Sequence, residues 1–99
     1  MDEDIIFQVL AIVSEIPAGA VASYKQIALL ADRPQNARLV GKILSHADMY
    51  GDYPCHRVVN SAGRLVPGWD GQRDLLIKEG ITFKSNGNVD MKKYQWIIR

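Results

Sequence analysis

Only one of the 99 residues is a cysteine, Cys55, which excludes an intramolecular disulfide and any cysteine-rich zinc site. A lone thiol fits a reducing compartment better than a secreted one. Histidine is almost as scarce, with His46 and His56 alone. No apolar run approaches the length needed to span a bilayer, and Met1-Asp2-Glu3-Asp4 is acidic where a secretory leader would be basic. A cytoplasmic, non-membrane protein is expected. Internal repeats, low-complexity segments and linkers are missing too, so residues 1–99 are read as one domain with a modest core.

Net charge is also small, +1 overall, but it is unevenly spread. Residues 1–22 carry four acids and no Lys or Arg, whereas residues 23–64 carry six bases against three acids. An acidic end beside a basic middle points to a polyanion contacting the middle, against the plainer reading of an ordinary solvated surface.

Residues 4–15 repeat apolar side chains at Ile5, Ile6, Val9, Leu10, Ile12 and Val13, the spacing of an amphipathic helix, and Pro17-Ala18-Gly19 ends it. A second helix is predicted from Ser23, which with Gln26 forms a capping-box pattern, and Ile27, Leu29 and Leu30 are its predicted buried side. Asp32-Arg33-Pro34 breaks it. A third helix from Gln35 or Asn36 turns Ala37, Val40, Ile43 and Leu44 inward and carries Arg38 and Lys42. Two short helices joined by about four residues make a helix-turn-helix candidate. Beyond Pro54, Cys55–Val59 reads as a short strand or a turn, and Arg64–Val66 as the second arm of a small hairpin. Pro67-Gly68-Trp69-Asp70-Gly71 is a loop with Trp69 partly exposed. A helix over 71–79 with Leu75, Leu76 and Ile77 buried stops at Gly80. Residues 81–91 resemble a closing hairpin turning at Asn86-Gly87. The tail Lys92-Lys93-Tyr94-Gln95-Trp96 is read as a short helix or a packed segment.

The chemistry concentrates in Pro54-Cys55-His56-Arg57-Val58-Val59. A thiol beside a base can become a nucleophile when the base takes its proton. Adjacent side chains rarely bond each other, so a tight turn at Pro54 or a bridging water would have to join them. Taken alone, a single Cys shortly before two valines is more often a small buried hydrophobe.

Five blocks bear on that choice. Ile16-Pro17-Ala18-Gly19, Ser23-Tyr24-Lys25-Gln26-Ile27-Ala28, Ala37-Arg38-Leu39-Val40-Gly41, Pro54-Cys55-His56-Arg57-Val58-Val59 and Lys78-Glu79-Gly80 stand in one order. Their order and spacing resemble the C-terminal domain of 6-O-alkylguanine-DNA alkyltransferases over about residues 5–82. The resemblance implies a mainly α fold with small β hairpins (an α/β, winged-helix-like helix-turn-helix DNA-binding domain). It implies Cys55 as alkyl acceptor, His56 as base acting through a water, and Glu79 as the group orienting the imidazole, which is triad logic. Arg38 would fill the gap in the base stack while Ala37 and Gly41 let the helix approach the backbone, with Lys42 and Ser23 also on the DNA. Tyr24 would bond the flipped base, Val58 would offer its carbonyl to the base edge, and Gly68 and Trp69 would wall the pocket. Flipping a base costs a few kcal/mol, and minor-groove entry suits a scanner indifferent to sequence.

The expected function is therefore irreversible transfer of an alkyl group from guanine in duplex DNA to Cys55, by a monomer without cofactor or metal. Some features differ from that family. No counterpart of its N-terminal domain precedes the matched blocks, His46-Ala47-Asp48 stands where an asparagine hinge is usual, and the 63–72 loop is short. These traits resemble the small alkyltransferase-like proteins, which bind alkylated guanine without repairing it and attract nucleotide-excision repair proteins. Those proteins usually replace the cysteine, whereas Cys55, His56 and Glu79 are all present here. Alkylated-guanine sensing is thus the alternative, and a sequence-specific helix-turn-helix regulator is a third reading.

Overall fold

The computed structural model describes residues 3–98. Helix α1 (Glu3–Ser14) opens on Glu3 and Asp4, where negative charge complements the helix dipole, and buries Ile5, Ile6, Val9, Leu10 and Val13. Asp2, the other acid of this acidic start, lies outside the described residues. Strand β1 (Ala22–Ser23) runs directly into α2 (Tyr24–Leu30), because Ser23 is both the last strand residue and the helix cap, its Oγ accepting from Gln26 N at 3.0 Å. Helix α3 (Ala37–Ser45), a 3-10 turn (Ala47–Met49), a second 3-10 turn (Cys55–Arg57), β2 (Val58–Val59), α4 (Gly71–Lys78) and α5 (Met91–Tyr94) complete the chain.

The hairpin predicted between residues 55–59 and 64–66 does not form. Instead β2 pairs in parallel with β1, Ala22 opposite Val58 and Ser23 opposite Val59. The turn after Val59 still closes, with Asn60 N donating to Arg64 O at 3.2 Å, but it carries no second strand. The closing hairpin contracts to one antiparallel bridge, Phe83 with Val89, around its Asn86-Gly87 turn. The tail supplies what the missing hairpin would have. Val21 N donates to Tyr94 O at 2.9 Å and Trp96 N to Val21 O at 2.7 Å, so residues 94–96 lie along the chain entering β1.

This small parallel sheet separates two cores, because successive strand side chains point to opposite faces. Ala22 and Val58 join the larger core with α1, Ile27, Ala28, Val40 and Ile43. Val21 and Val59 join a smaller one with Leu76, Ile81 and Val89. Two predicted core groups fall outside both. Leu29 and Leu30 are 55% and 41% exposed, and Leu75 and Ile77 flank the buried Leu76 without being covered. The reason is helical spacing: α2 buries the stripe Tyr24–Ile27–Ala28–Ala31 and α4 the stripe Gln72–Leu76, leaving those neighbours off the face.

The α2–α3 connection takes six residues, 31–36, rather than about four. Asp32 holds a left-handed φ of 58° while Asp32 N and Arg33 N donate back to Leu29 O and Ala28 O, a Schellman stop with aspartate where glycine is usual. Helix α4 ends in the same motif with Gly80 at φ 88°; Gly80 N reaches Ile77 O and Ile81 N reaches Leu76 O. That second stop leaves Glu79 as the C-cap of α4, facing the Cys55 turn.

Candidate active site and nucleic-acid face

The Cys55 turn is shaped by its proline. Pro54 sits at φ −78°, ψ 58°, the geometry of an inverse γ-turn, and Cys55 N donates to Tyr53 O at 2.8 Å across it. Arg57 N then donates to Pro54 O, closing the 3-10 turn that delivers Val58 into the sheet. Parallel pairing of β2 with β1 brings the start of α2 alongside, so Tyr24 and Cys55 line one narrow cavity of about 110 Å3 together with Gly41, Ser45, Val66 and Trp69. Gly41 packs against the phenol, since a Cβ there would lie 3.7 Å from Tyr24 Cε1.

Glu79 is the electrostatic centre of the turn. Its carboxylate accepts from Arg57 Nε at 2.9 Å, from Arg57 Nη2 at 2.8 Å and from His56 Nε2 at 2.8 Å. Arg57 Nη1 reaches on to Ile16 O at 2.8 Å, so one guanidinium clips the Cys55 turn to the ends of both α1 and α4. The Arg57 guanidinium, helped by His56, holds the Glu79 carboxyl at about 2, so it is ionised at neutral pH. An ionised carboxylate can only accept, which makes His56 Nε2 the donor and leaves Nδ1 of the neutral ring as the basic nitrogen.

Cys55 is not hydrogen-bonded to His56. The thiol faces the 110 Å3 cavity and an adjoining one of about 350 Å3, while the imidazole lines a third of about 590 Å3; Trp69 borders all three. Burial pushes the Cys55 thiol up from its ordinary pKa, the Asp52 carboxylate pushes it further and Asp48 adds to this, against a smaller downward pull from the backbone. Burial likewise raises the Tyr24 hydroxyl, with Cys55 adding to it, so the phenol stays protonated and able to donate.

The other predicted site residues divide. On α3, Arg38 and Lys42 are exposed one helical turn apart, with no side-chain hydrogen bond or ion pair among the described residues, and Ala37 and Gly41 are half-buried in the row beside them. Gly68 is exposed at the turn that Trp69 N closes onto Val66 O, and Trp69 itself is 37% exposed. Ser23 is 5% exposed and its hydroxyl caps α2, so little of its side chain is open to a ligand. Val58 is fully buried and its carbonyl accepts from Gln72 Nε2 at 3.2 Å, so it presents no surface for a base edge.

Two residues that position the site carry no predicted role. Arg57 lies inside the cysteine block, where its neighbour His56 drew the attention. Gln72 is fully buried, its Nε2 donating to His56 O at 3.1 Å and Val58 O at 3.2 Å while its Oε1 accepts from Val66 N at 2.7 Å. It ties the turn bearing the thiol to the loop bearing Trp69. The signal for it was a polar residue four places before Leu76, on the buried stripe of α4.

Known proteins resemble this chain in sequence and fold. Over 92 residues, 90% of this chain and 71% of the relative, the sequence is 37% identical to the DNA base-flipping protein of Escherichia coli. It is 36% identical to the DNA base-flipping protein of Vibrio parahaemolyticus, covering 97% of this chain and 98% of that one. The crystal structure of Schizosaccharomyces pombe Atl1 in complex with damaged DNA containing O6-carboxymethylguanine superposes with a TM-score of 0.84, at 30% identity and 99% coverage of both chains. Residues 5–81 match the DNA-binding domain of 6-O-methylguanine DNA methyltransferase. With that match across most of its length, the chain belongs to the 6-O-methylguanine DNA methyltransferase DNA-binding-domain family.

Proposed function

We propose that this chain binds duplex DNA carrying a 6-O-alkylated guanine, rotates the damaged nucleotide out of the stack, and holds it above Cys55 without removing the alkyl group. The single observation that carries the reading is the setting of the thiol. Cys55 is half-buried, has no hydrogen bond to His56, and faces two carboxylates that disfavour its thiolate. A nucleophilic cysteine needs the reverse, an electropositive setting. Relatives named for base flipping, and a whole-length likeness to Atl1 on damaged DNA, support sensing over the transfer that the intact Cys55, His56 and Glu79 set led the sequence to favour.

In this reading Arg38 and Lys42 on α3 face the duplex, Arg38 entering the space the flipped base leaves. Tyr24 donates to the flipped nucleotide from the cavity wall, and Trp69 covers the base from the other side. Phosphate contacts by the exposed bases make affinity fall as salt rises. Bound but unrepaired, the lesion remains for nucleotide-excision repair proteins to remove.

Alkyl transfer is the second reading, favoured by the 2.8 Å His56–Glu79 contact. In it a water carries the thiol proton to His56 Nδ1, the sulfur attacks the alkyl carbon, the carbon–oxygen bond breaks, and guanine regains a proton. The assay is a duplex with an isotopically labelled methyl on guanine O6. Intact lesion on the bound DNA after prolonged incubation, with unlabelled protein by mass spectrometry, is the expected result. A labelled methyl on Cys55 would overturn sensing in favour of transfer.

A further inference from the structure

The cavity of about 350 Å3 beside Cys55 is lined by Asp48, Asp52, Cys55 and Trp69 among others, and by no Lys, Arg or His among the described residues. Neither the Asp48 nor the Asp52 side chain has a hydrogen bond or ion pair among the described residues, and both are exposed. Neither carboxylate is ion-paired with a cation among the described residues. His56 and Arg57 line the neighbouring cavity, which Asp52 also borders, but both side chains are hydrogen-bonded to Glu79. Lys42 lines a separate groove with Glu3 and His46. A substituent on guanine O6 that reaches past Cys55 would enter a space bearing two negative charges and no positive one.

We propose that Asp48 and Asp52 make this site selective for the charge of the 6-O substituent, accepting neutral or cationic groups and disfavouring those that end in a carboxylate. This rests on the lesion-binding reading and deepens it by naming the class of lesion. It also separates the chain from Atl1, whose crystal structure holds O6-carboxymethylguanine. The physical reason is Coulomb repulsion from two like charges, where a third has no counterion of the protein's own in the cavity and salt supplies the only screening.

The test compares two duplexes of one sequence, carrying 6-O-carboxymethylguanine or its neutral near-isostere 6-O-carbamoylmethylguanine, by fluorescence anisotropy with the full chain. The carboxymethyl duplex is expected to bind about tenfold more weakly at low salt, with the ratio narrowing as ionic strength rises. Asp48→Asn with Asp52→Asn should bring the ratio to near one. Using the ratio cancels any general gain in DNA affinity from removing negative charge. Both side chains are exposed and unpaired, so an unchanged Tm checks that the variant is folded. Equal affinity of the native chain for the two duplexes, or a ratio unmoved in the double variant, overturns the inference. A duplex with 6-O-methylguanine separates the two levels. If it binds no better than undamaged DNA, lesion binding fails and the inference with it; if it binds better while the charged pair does not differ, the inference alone fails.

Discussion

Replacing Glu79 by Gln probes the ion cluster that holds the Cys55 turn. The substitution keeps the shape and one acceptor oxygen but removes the charge that Arg57 and His56 share. The Glu79 carboxyl falls from 4.5 to about 2 on folding, chiefly through its two hydrogen bonds from Arg57. At about 1.4 kcal/mol per pH unit that drop corresponds to at most ~3.5 kcal/mol of stability. The carboxylate keeps some contact with water, so screening reduces the expected value to about 1–2 kcal/mol. Because the folded-state pKa is the lower one, this contribution is complete above pH 4.5 and is lost as pH falls through about 2. Urea unfolding of both proteins at several pH values reads it directly. At pH 7 Glu79→Gln should be less stable by about 1–2 kcal/mol, or roughly 4–16 °C in Tm for a domain of this size. The gap should close progressively below pH 4.5. A difference of the same size at pH 7 and at pH 2 would refute the electrostatic account and leave shape or helix-end effects as the cause.

Three more outcomes follow from the packing and the site. Gln72→Leu strips two carbonyls and one N–H of their buried partner, and should lower stability by about 2–4 kcal/mol in denaturant titrations, with hydrogen exchange quickening first in the Cys55 turn. Gly63→Ala would drive a Cβ into the Val89 carbonyl at a left-handed φ of 87°, and should cost about 3 kcal/mol or more; a near-neutral Tm would contradict the close crossing of these segments. Cys55 should react with iodoacetamide with a pH midpoint above that of a free thiol, and Asp52→Asn should lower that midpoint; a midpoint below the free-thiol value would show an activated nucleophile instead.

Much of the fold is written in local pattern. The α1 stripe, the Ser23 cap with Gln26, the proline turn before Cys55 and the Gly80 stop are all set by residues within a turn or two of one another. What misled was partner choice. Cys55–Val59 followed by Asn60-Ser61-Ala62-Gly63 reads as one arm of a hairpin, and nothing local says that Val58 and Val59 pair instead with residues 22–23. Hydrophobicity alone places Leu29, Leu30, Leu75 and Ile77 in the core, although their helical phase puts them beside the buried stripes.

The site divides in the same way. The sequence by itself determined which groups are present: one thiol, a histidine next to it, a glutamate closing a helix, and a helix with exposed Arg38 and Lys42. Tertiary structure decided what those groups are to each other. Parallel pairing of two short strands set Tyr24 beside Cys55, the end of α4 set Glu79 against His56 and Arg57, and the 3-10 turn sent the thiol and imidazole into different cavities. It also placed Asp48 and Asp52, ordinary loop acids in the sequence, around the thiol. A side chain's identity is local, but its pKa and its reach depend on neighbours from distant segments, and only folding brings those together.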